Sequence, residues 1–272
     1  MGRRVWLAVM LAVCAGLPVV CGAASTAQDR GGDSVKPAGK PRHAGSVVKG
    51  LSLGEKADGA QAFLPVGQTL SIRLPGNPTT GFSWELAQGT GIVAALQGGV
   101  AYQPAPERLG LAGAGGTFTA VFKALAEGRT ILRLRYRRPW EKDVAPARVF
   151  SVEMAAFSGG ARLDEGAHNG SLLAAKGSEI LVKLAADDET LTQEMVRPRG
   201  AVVFIDSDFR APRMAEGTAD SSPQYLHPYH TYRYRADSAG EDDILVRYLR
   251  PETPTGPAVK VIKEFRVKVH IY

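Results

Sequence analysis

The segment Gly67-Gln68-Thr69-Leu70-Ser71-Ile72-Arg73-Leu74 recurs, position by position, as Gly177-Ser178-Glu179-Ile180-Leu181-Val182-Lys183-Leu184. In both, a polar turn opens onto apolar residues at every second position. Such alternation gives a strand one buried and one solvated face, the habit of antiparallel sheets. The recurrence continues in order. Gly240 to Pro251, with Ile244, Val246, Tyr248 and Arg250, follows Gly128 to Pro139, with Leu132, Leu134, Tyr136 and Arg138. Phe265-Arg266-Val267 then follows Phe150-Ser151-Val152. Three matched strands in one order read as a duplicated unit.

The runs Leu70 to Leu74, Phe82 to Leu86, Thr117 to Ala124, Thr130 to Arg137 and Ala147 to Ala155 are short, strand-like and separated by turn signals. No helical period exceeds two turns, and Ile92 to Leu96 reads as one short turn. With 31 Gly and 17 Pro in 272 residues, the chain suits a turn-rich, all-β fold. The expected architecture is two immunoglobulin-like β-sandwich domains in tandem, over 49–157 and 172–272. Residues 158–171, Gly-rich and polar, read as the linker between them.

Residues 1–24 read as a secretory signal: Arg3 and Arg4, an apolar run from Val5 to Val20, then small residues at Gly22-Ala23-Ala24. If retained, the segment would be a membrane anchor, although Pro18 interrupts a run already short for a span. If acylated at Cys21, it would mark a lipoprotein, although Val20 fits such a site poorly. A membrane is a partner only in those two cases, and the expected location is secreted or periplasmic. Residues 25–48 lack large apolar residues and read as a disordered leader. Both cysteines, Cys14 and Cys21, fall in the signal. Its removal leaves no thiol for catalysis, metal binding or a disulfide.

One stretch departs from strand alternation: Asn77-Pro78-Thr79-Thr80-Gly81-Phe82-Ser83-Trp84. Pro78 fixes φ and biases Asn77 toward extended backbone. Gly81 supplies a left-handed turn. Phe82 and Trp84 restart the alternation and anchor the far side. The product is a short, neutral hairpin tip, suited to entering another protein's cleft. Two more loops follow at strand ends: Gly113-Ala114-Gly115-Gly116 and Arg138-Pro139-Trp140-Glu141. The three motifs, in this order, resemble those of the chagasin-like inhibitors of papain-type cysteine proteases, over roughly residues 60 to 156.

That resemblance implies a reversible, non-covalent inhibitor whose first loop covers the active-site cysteine of a papain-like cysteine protease, while the other two grip the groove walls. The implied protease-binding residues are Asn77, Pro78, Thr79, Thr80, Gly81 and Phe82 centrally, Gly113, Ala114, Gly115 and Gly116 on one flank, and Arg138, Pro139 and Trp140 on the other. The second copy is expected to have lost these loops. Asp187-Asp188-Glu189 replaces the tip without a Pro or Gly to set it, His227-Pro228-Tyr229-His230 replaces the glycines, and Glu252 replaces the tryptophan. A rival reading of the same loops is a cell-envelope binding or adhesion module with a non-protease partner.

Other candidates have simpler explanations. His227 and His230 lack a third ligand nearby. Asp187-Asp188-Glu189, Asp237 and Glu241-Asp242-Asp243 lack the spacing of a calcium loop and read as solvated turns. Arg133, Arg135 and Arg137 form the polar face of a strand and could steer an acidic partner. No catalytic residues, metal, cofactor or small-molecule substrate are expected; His-Glu-x-x-His, Gly-x-Ser-x-Gly and phosphate-loop patterns are all missing. The formal net charge of +6 includes two arginines of the signal, so nucleic acid is not an expected partner.

Overall fold

The computed structural model describes residues 50–105, 113, 115–188, 190–215, 224–252 and 259–272. The segments read as a signal (1–24) and a leader (25–48), together with Ala114 and Glu189, lie outside the described residues. The fold is all-β. The first half runs β1 (Gly50–Gly54), β2 (Gln61–Pro65), β3 (Thr69–Gly76), β4 (Ser83–Gln88), β5 (Ala94–Pro104), β6 (Gly116–Ala124), β7 (Gly128–Arg137) and β8 (Arg148–Phe157). The second half runs β9 (Ala161–Leu163), β10 (Gly170–Ala174), β11 (Glu179–Ala185), β12 (Thr192–Val196), β13 (Val202–Arg210), β14 (Arg213–Ala215), β15 (Gln224–Leu226), β16 (Tyr229–Ala236), β17 (Gly240–Pro251) and β18 (Val259–Ile271).

The halves match strand for strand. A four-stranded sheet in the order β1-β3-β6-β5 has its counterpart in β9-β11-β16-β13. The order β2-β8-β7-β4 has its counterpart in β10-β18-β17-β12. Even the parallel pairs recur: β1 with β3 and β9 with β11, β2 with β8 and β10 with β18. Among the described residues, β14 and β15, which pair with each other, have no first-half counterpart.

The halves are not separate beads. β10 pairs in parallel with β2 and fuses the two four-stranded layers into one eight-stranded sheet, β12-β17-β18-β10-β2-β8-β7-β4. Each half packs its own four-stranded sheet on this shared layer, and the two cores occupy opposite faces. On β2, Ala62 and Leu64 belong to the first core and Phe63 to the second; on β10, Leu173 belongs to the first and Leu172 and Ala174 to the second. The period of two thus serves both cores at once. The expected linker is corrected accordingly. Residues 158–171 contain β9, a 3-10 turn at Glu165–Ala167 and the start of β10. Gly170 permits the crossing, since a Cβ there would come within 3.0 Å of the Gln61 carbonyl oxygen.

The short turn expected at 92–96 is also corrected. Ala94 onward is strand β5, paired with β6, and a register shift between Leu96 and Val100 accommodates Gly98 and Gly99 at positive φ. The bulge broke the alternation that would have shown a strand.

Candidate functional site

Three connections leave one end of the first half. β3 leads to β4 through 77–82 and β7 to β8 through 138–147, and of the β5–β6 connection Ala105, Gly113 and Gly115 are described. The register brings their strand ends together: Gly76 pairs with Gly116, Pro104 with Gly116, and Ser83 with Arg137.

The first turn is a single 3-10 turn over Pro78–Thr80, with Asn77 as its cap at φ −134° and Gly81 closing it at φ +82°. The Asn77 carboxamide oxygen accepts from the Thr79 N–H at 3.1 Å and from the Thr79 hydroxyl at 2.7 Å. The Thr80 hydroxyl donates to the Asn77 carbonyl at 2.7 Å. Both hydroxyls are therefore spent within the loop, which is the Asx-turn device. Thr79 and Thr80 are exposed at the tip.

Each neighbouring loop is tied to this tip. The Asn77 amide nitrogen donates to the Gly113 carbonyl at 2.9 Å. Arg138 Nε donates to the Thr80 carbonyl at 3.3 Å, and its guanidinium lies 4.6 Å from the centre of the Phe82 ring. Trp140 is 65% exposed, and its indole rests against Gly81, where any Cβ would overlap the ring. Gly81 is thus required twice, for its dihedral and for its missing side chain.

Below the loops lies an aromatic support. Tyr136 donates and accepts at the Asn77 backbone: the Asn77 N–H reaches its hydroxyl at 2.8 Å, and that hydroxyl lies 3.4 Å from the Asn77 carbonyl. Phe82 stacks on Tyr136 at 5.3 Å and Trp84 lies 5.2 Å away on the same ring. Trp84 is buried and donates its indole N–H to the Pro75 carbonyl at 3.1 Å. Arg148 covers Tyr136 at 4.7 Å and also donates to the Pro75 carbonyl, at 2.7 Å.

The structure thus brings together Asn77, Pro78, Thr79, Thr80, Gly81, Phe82, Gly113, Gly115, Gly116, Arg138, Pro139 and Trp140, while Ala114 lies outside the described residues. Sequence reasoning missed the framework. Tyr136, Arg148 and Arg137 hold the loops from below. Arg137 is no free surface charge: it pairs with Glu85 at 3.3 Å and donates to the Glu141 carbonyl at 2.8 Å. Arg135 shares Glu85 at 2.6 Å, so one carboxylate faces two of the three arginines of the stripe.

The second half keeps more of this end than its sequence suggests. Asp188 accepts from the Thr190 N–H at 2.9 Å and the Thr190 hydroxyl at 2.5 Å, the bonds that Asn77 makes with Thr79. Hydrogen bonds from Thr190 and the charge of Arg250, 3.2 Å away, hold the Asp188 carboxyl below its ordinary pKa. An aspartate therefore sets the turn that was expected to lack a device. Gln193 stands where Trp84 stood and donates to the Ala185 carbonyl at 2.6 Å, as Trp84 does to Pro75. Asp242 is a further correction. It is no solvated turn residue but 4% exposed, accepting four backbone N–H groups, from Arg199, Gly200, Val202 and Asp243, at 2.9–3.0 Å. His227, for its part, pairs with Asp187 at 3.0 Å, and His230 lies against Phe209 at 4.8 Å.

Residues 64–154 match the family described as Chagasin family peptidase inhibitor. Amoebiasin-2 of Entamoeba histolytica is 32% identical over 96 residues, which span 35% of this chain and 76% of that protein. Chagasin of Trypanosoma cruzi is 34% identical over 100 residues, spanning 36% of this chain and 91% of that protein. Among solved structures, the cysteine protease inhibitor EhICP2 from Entamoeba histolytica is 26% identical, covering 39% of this chain and 95% of its own, with a TM-score of 0.35. The family match falls wholly on the half that carries the three tied loops. This chain belongs to the chagasin family of peptidase inhibitors.

Proposed function

We propose that the chain is a reversible, non-covalent inhibitor of papain-like cysteine proteases and that the end built by Asn77 to Phe82, Gly113 to Gly116 and Arg138 to Trp140 enters the enzyme's cleft. The molecule is then two diverged copies of one immunoglobulin-like sandwich, exported through its N-terminal segment, and the first copy is the inhibitor. The observation that carries the reading is the tying of three sequence-distant loops into one preformed tip, by Asn77 to Gly113, Arg138 to Thr80 and Trp140 to Gly81. A tip ordered in advance spends little conformational entropy on binding. From Asn77 to Phe82 it carries no charge, so entering a closed groove strands no ion. Its backbone is a 3-10 turn followed by a left-handed glycine, not the extended strand that a protease cleaves. Its two hydroxyls are already hydrogen-bonded, which disfavours any covalent role.

The test is steady-state inhibition of papain and a cathepsin. The wild-type protein is expected to inhibit reversibly at sub-micromolar concentration. The double variant Thr79→Lys/Thr80→Glu is expected to lose inhibition by orders of magnitude, with stability lowered by about 1–2 kcal/mol and the protein still folded, since both side chains are exposed and give up only their two hydroxyl hydrogen bonds to Asn77. No inhibition of several such enzymes by the folded protein sinks the proposal and favours an envelope-binding module.

A further inference from the structure

Tyr136 and Tyr248 hold the same place in the two halves. Tyr136 lies between Trp84 of β4 and Arg148 of β8, and Tyr248 lies between Gln193 of β12 and Lys263 of β18. The neighbouring cation is kept. Lys263 lies 4.2 Å from the centre of the Tyr248 ring, as Arg148 lies 4.7 Å from that of Tyr136. The neighbouring rings are not kept. In the first half Phe82 and Trp84 pack on the tyrosine, at 5.3 and 5.2 Å. Gln193 stands at the place of Trp84, and Leu191, two residues before it, at the place of Phe82.

Smaller side chains on the same strand frame leave space, because a packed interior collapses only partly around missing atoms. A cavity of about 150 Å³ lies here, against Ala185, Leu191, Gln193, Tyr248 and Lys263. The bond that closes this end of the first half is missing as well. The Tyr136 hydroxyl receives the Asn77 N–H at 2.8 Å, whereas the buried Tyr248 hydroxyl has no hydrogen-bond partner among the described residues.

The charges around the cavity are matched within the protein. Asp187 and Asp188 also line it, and they pair with His227 at 3.0 Å and with Arg250 at 3.2 Å, while Lys263 sits by the Tyr248 ring. Gln193 spends its amide nitrogen on the Ala185 carbonyl and its oxygen on the Tyr232 hydroxyl. Nothing here selects an ion; what the site lacks, beside its counterpart, is a flat apolar group. We propose that this cavity binds one neutral aromatic ring, in the place that Phe82 and Trp84 fill in the first half. A cavity of about 150 Å³ is large enough for benzene. Contact with the Tyr248 ring favours an aromatic ligand over a saturated one of the same size. A free small molecule and a tyrosine side chain of a partner protein carry the same ring, and the test separates the two.

The test is calorimetric titration of the full chain with p-cresol, 4-methylcyclohexanol, benzoate and benzylammonium. p-Cresol is expected to bind in the millimolar range and to raise the melting temperature. It should bind about threefold or more tightly than the saturated alcohol and than either charged ring. Leu191→Phe and Gln193→Trp each return a ring to the cavity and are expected to weaken p-cresol binding by about tenfold or more. Leu191→Ala takes atoms from the same wall and should still bind p-cresol, which separates blocking from disturbance. All three changes leave the first-half loops intact, so papain inhibition should not change. Acetyl-Ala-Tyr-Ala-amide binding as tightly as p-cresol supports a ring carried by a partner chain; binding about tenfold weaker supports a free small molecule. No binding of p-cresol, which leaves water as the occupant, overturns the proposal. So does a preference for the saturated or charged compounds, or undiminished binding in the folded Leu191→Phe or Gln193→Trp variant.

Discussion

Trp84 and Trp140 stand at two ends of one piece of chemistry. Trp84 is 5% exposed, with one face on Tyr136 and its N–H on a strand-end carbonyl; Trp140 is 65% exposed and touches Gly81. Trp84→Ala is expected to cost about 3–5 kcal/mol of stability. Trp140→Ala should leave melting nearly unchanged and weaken papain inhibition by about 1–3 kcal/mol, roughly five- to 150-fold. Equal melting shifts for the two variants would contradict this division. Asp242 is the residue whose role was least visible. Burial alone raises its pKa, but four backbone N–H donors outweigh that and hold it below the ordinary value. The unfolded carboxyl titrates near about 3.9. A depressed folded value means that this stabilisation is complete above the unfolded pKa and is lost as pH falls through the folded one. Asp242→Asn turns an acceptor-only group into one that also donates, so it should cost about 1–3 kcal/mol at neutral pH. Urea unfolding at pH 7 and below about pH 4 should show the variant losing less stability with acid than the wild type does.

At the scale of elements, the site depends on β7 ending in Tyr136-Arg137-Arg138. Alternation sends Tyr136 inward beneath Asn77, while Arg137 and Arg138 reach the loops on either side. Tyr136→Phe keeps the ring that Phe82 and Trp84 pack on, but leaves the Asn77 N–H without its 2.8 Å partner. The expected loss is about 1 kcal/mol of stability, with a larger proportional loss of inhibition, because the cap of the 3-10 turn loosens. Inhibition falling only in step with stability would mean that the hydroxyl does not order the tip. β17 has the same form in the second half, with Tyr248 for Tyr136 and Arg250 for Arg138, yet Arg250 reaches across to the aspartate that caps the facing turn, whereas Arg138 reaches across to the Thr80 carbonyl and pairs with Glu141 of its own loop at 2.9 Å. One strand pattern thus presents two different ends.

At the scale of the molecule, the shared sheet makes the halves one cooperative body. Leu173 belongs by sequence to the second half but is buried in the first core, and Phe63 is buried the other way. Leu173→Ala should cost about 2–5 kcal/mol. In a chain prepared without residues 1–24, which hold Trp6, the remaining Trp84 and Trp140 both lie in the first half, so tryptophan fluorescence follows that half alone. The wild-type melt by fluorescence should coincide with the melt by circular dichroism, and Leu173→Ala should lower both. A fluorescence melt indifferent to Leu173 would show that the halves unfold separately. For the same reason a fragment ending at residue 157 should self-associate, since it bares the edge of β2 and the Phe63 ring.

Much of this molecule follows from local pattern. Alternation at Leu70, Ile72 and Leu74 and again at Ile180, Val182 and Leu184 dictates strands and reveals the duplication, because a half-buried strand tolerates only period two. Pro78 and Gly81 dictate a turn between them, because their dihedral limits are intrinsic. The three motifs name the loops that meet. Other features depend on which atoms come within reach across the fold. A polar stretch at 158–171 reads as a linker until β2 offers its open edge to β10. Asp242 reads as a solvated acid until the chain at Arg199–Val202 folds its N–H groups onto it. Phe63 and Leu173 read as ordinary core residues, and only the tertiary structure decides that each serves the opposite core, since one residue's period cannot say what covers the far face of its sheet.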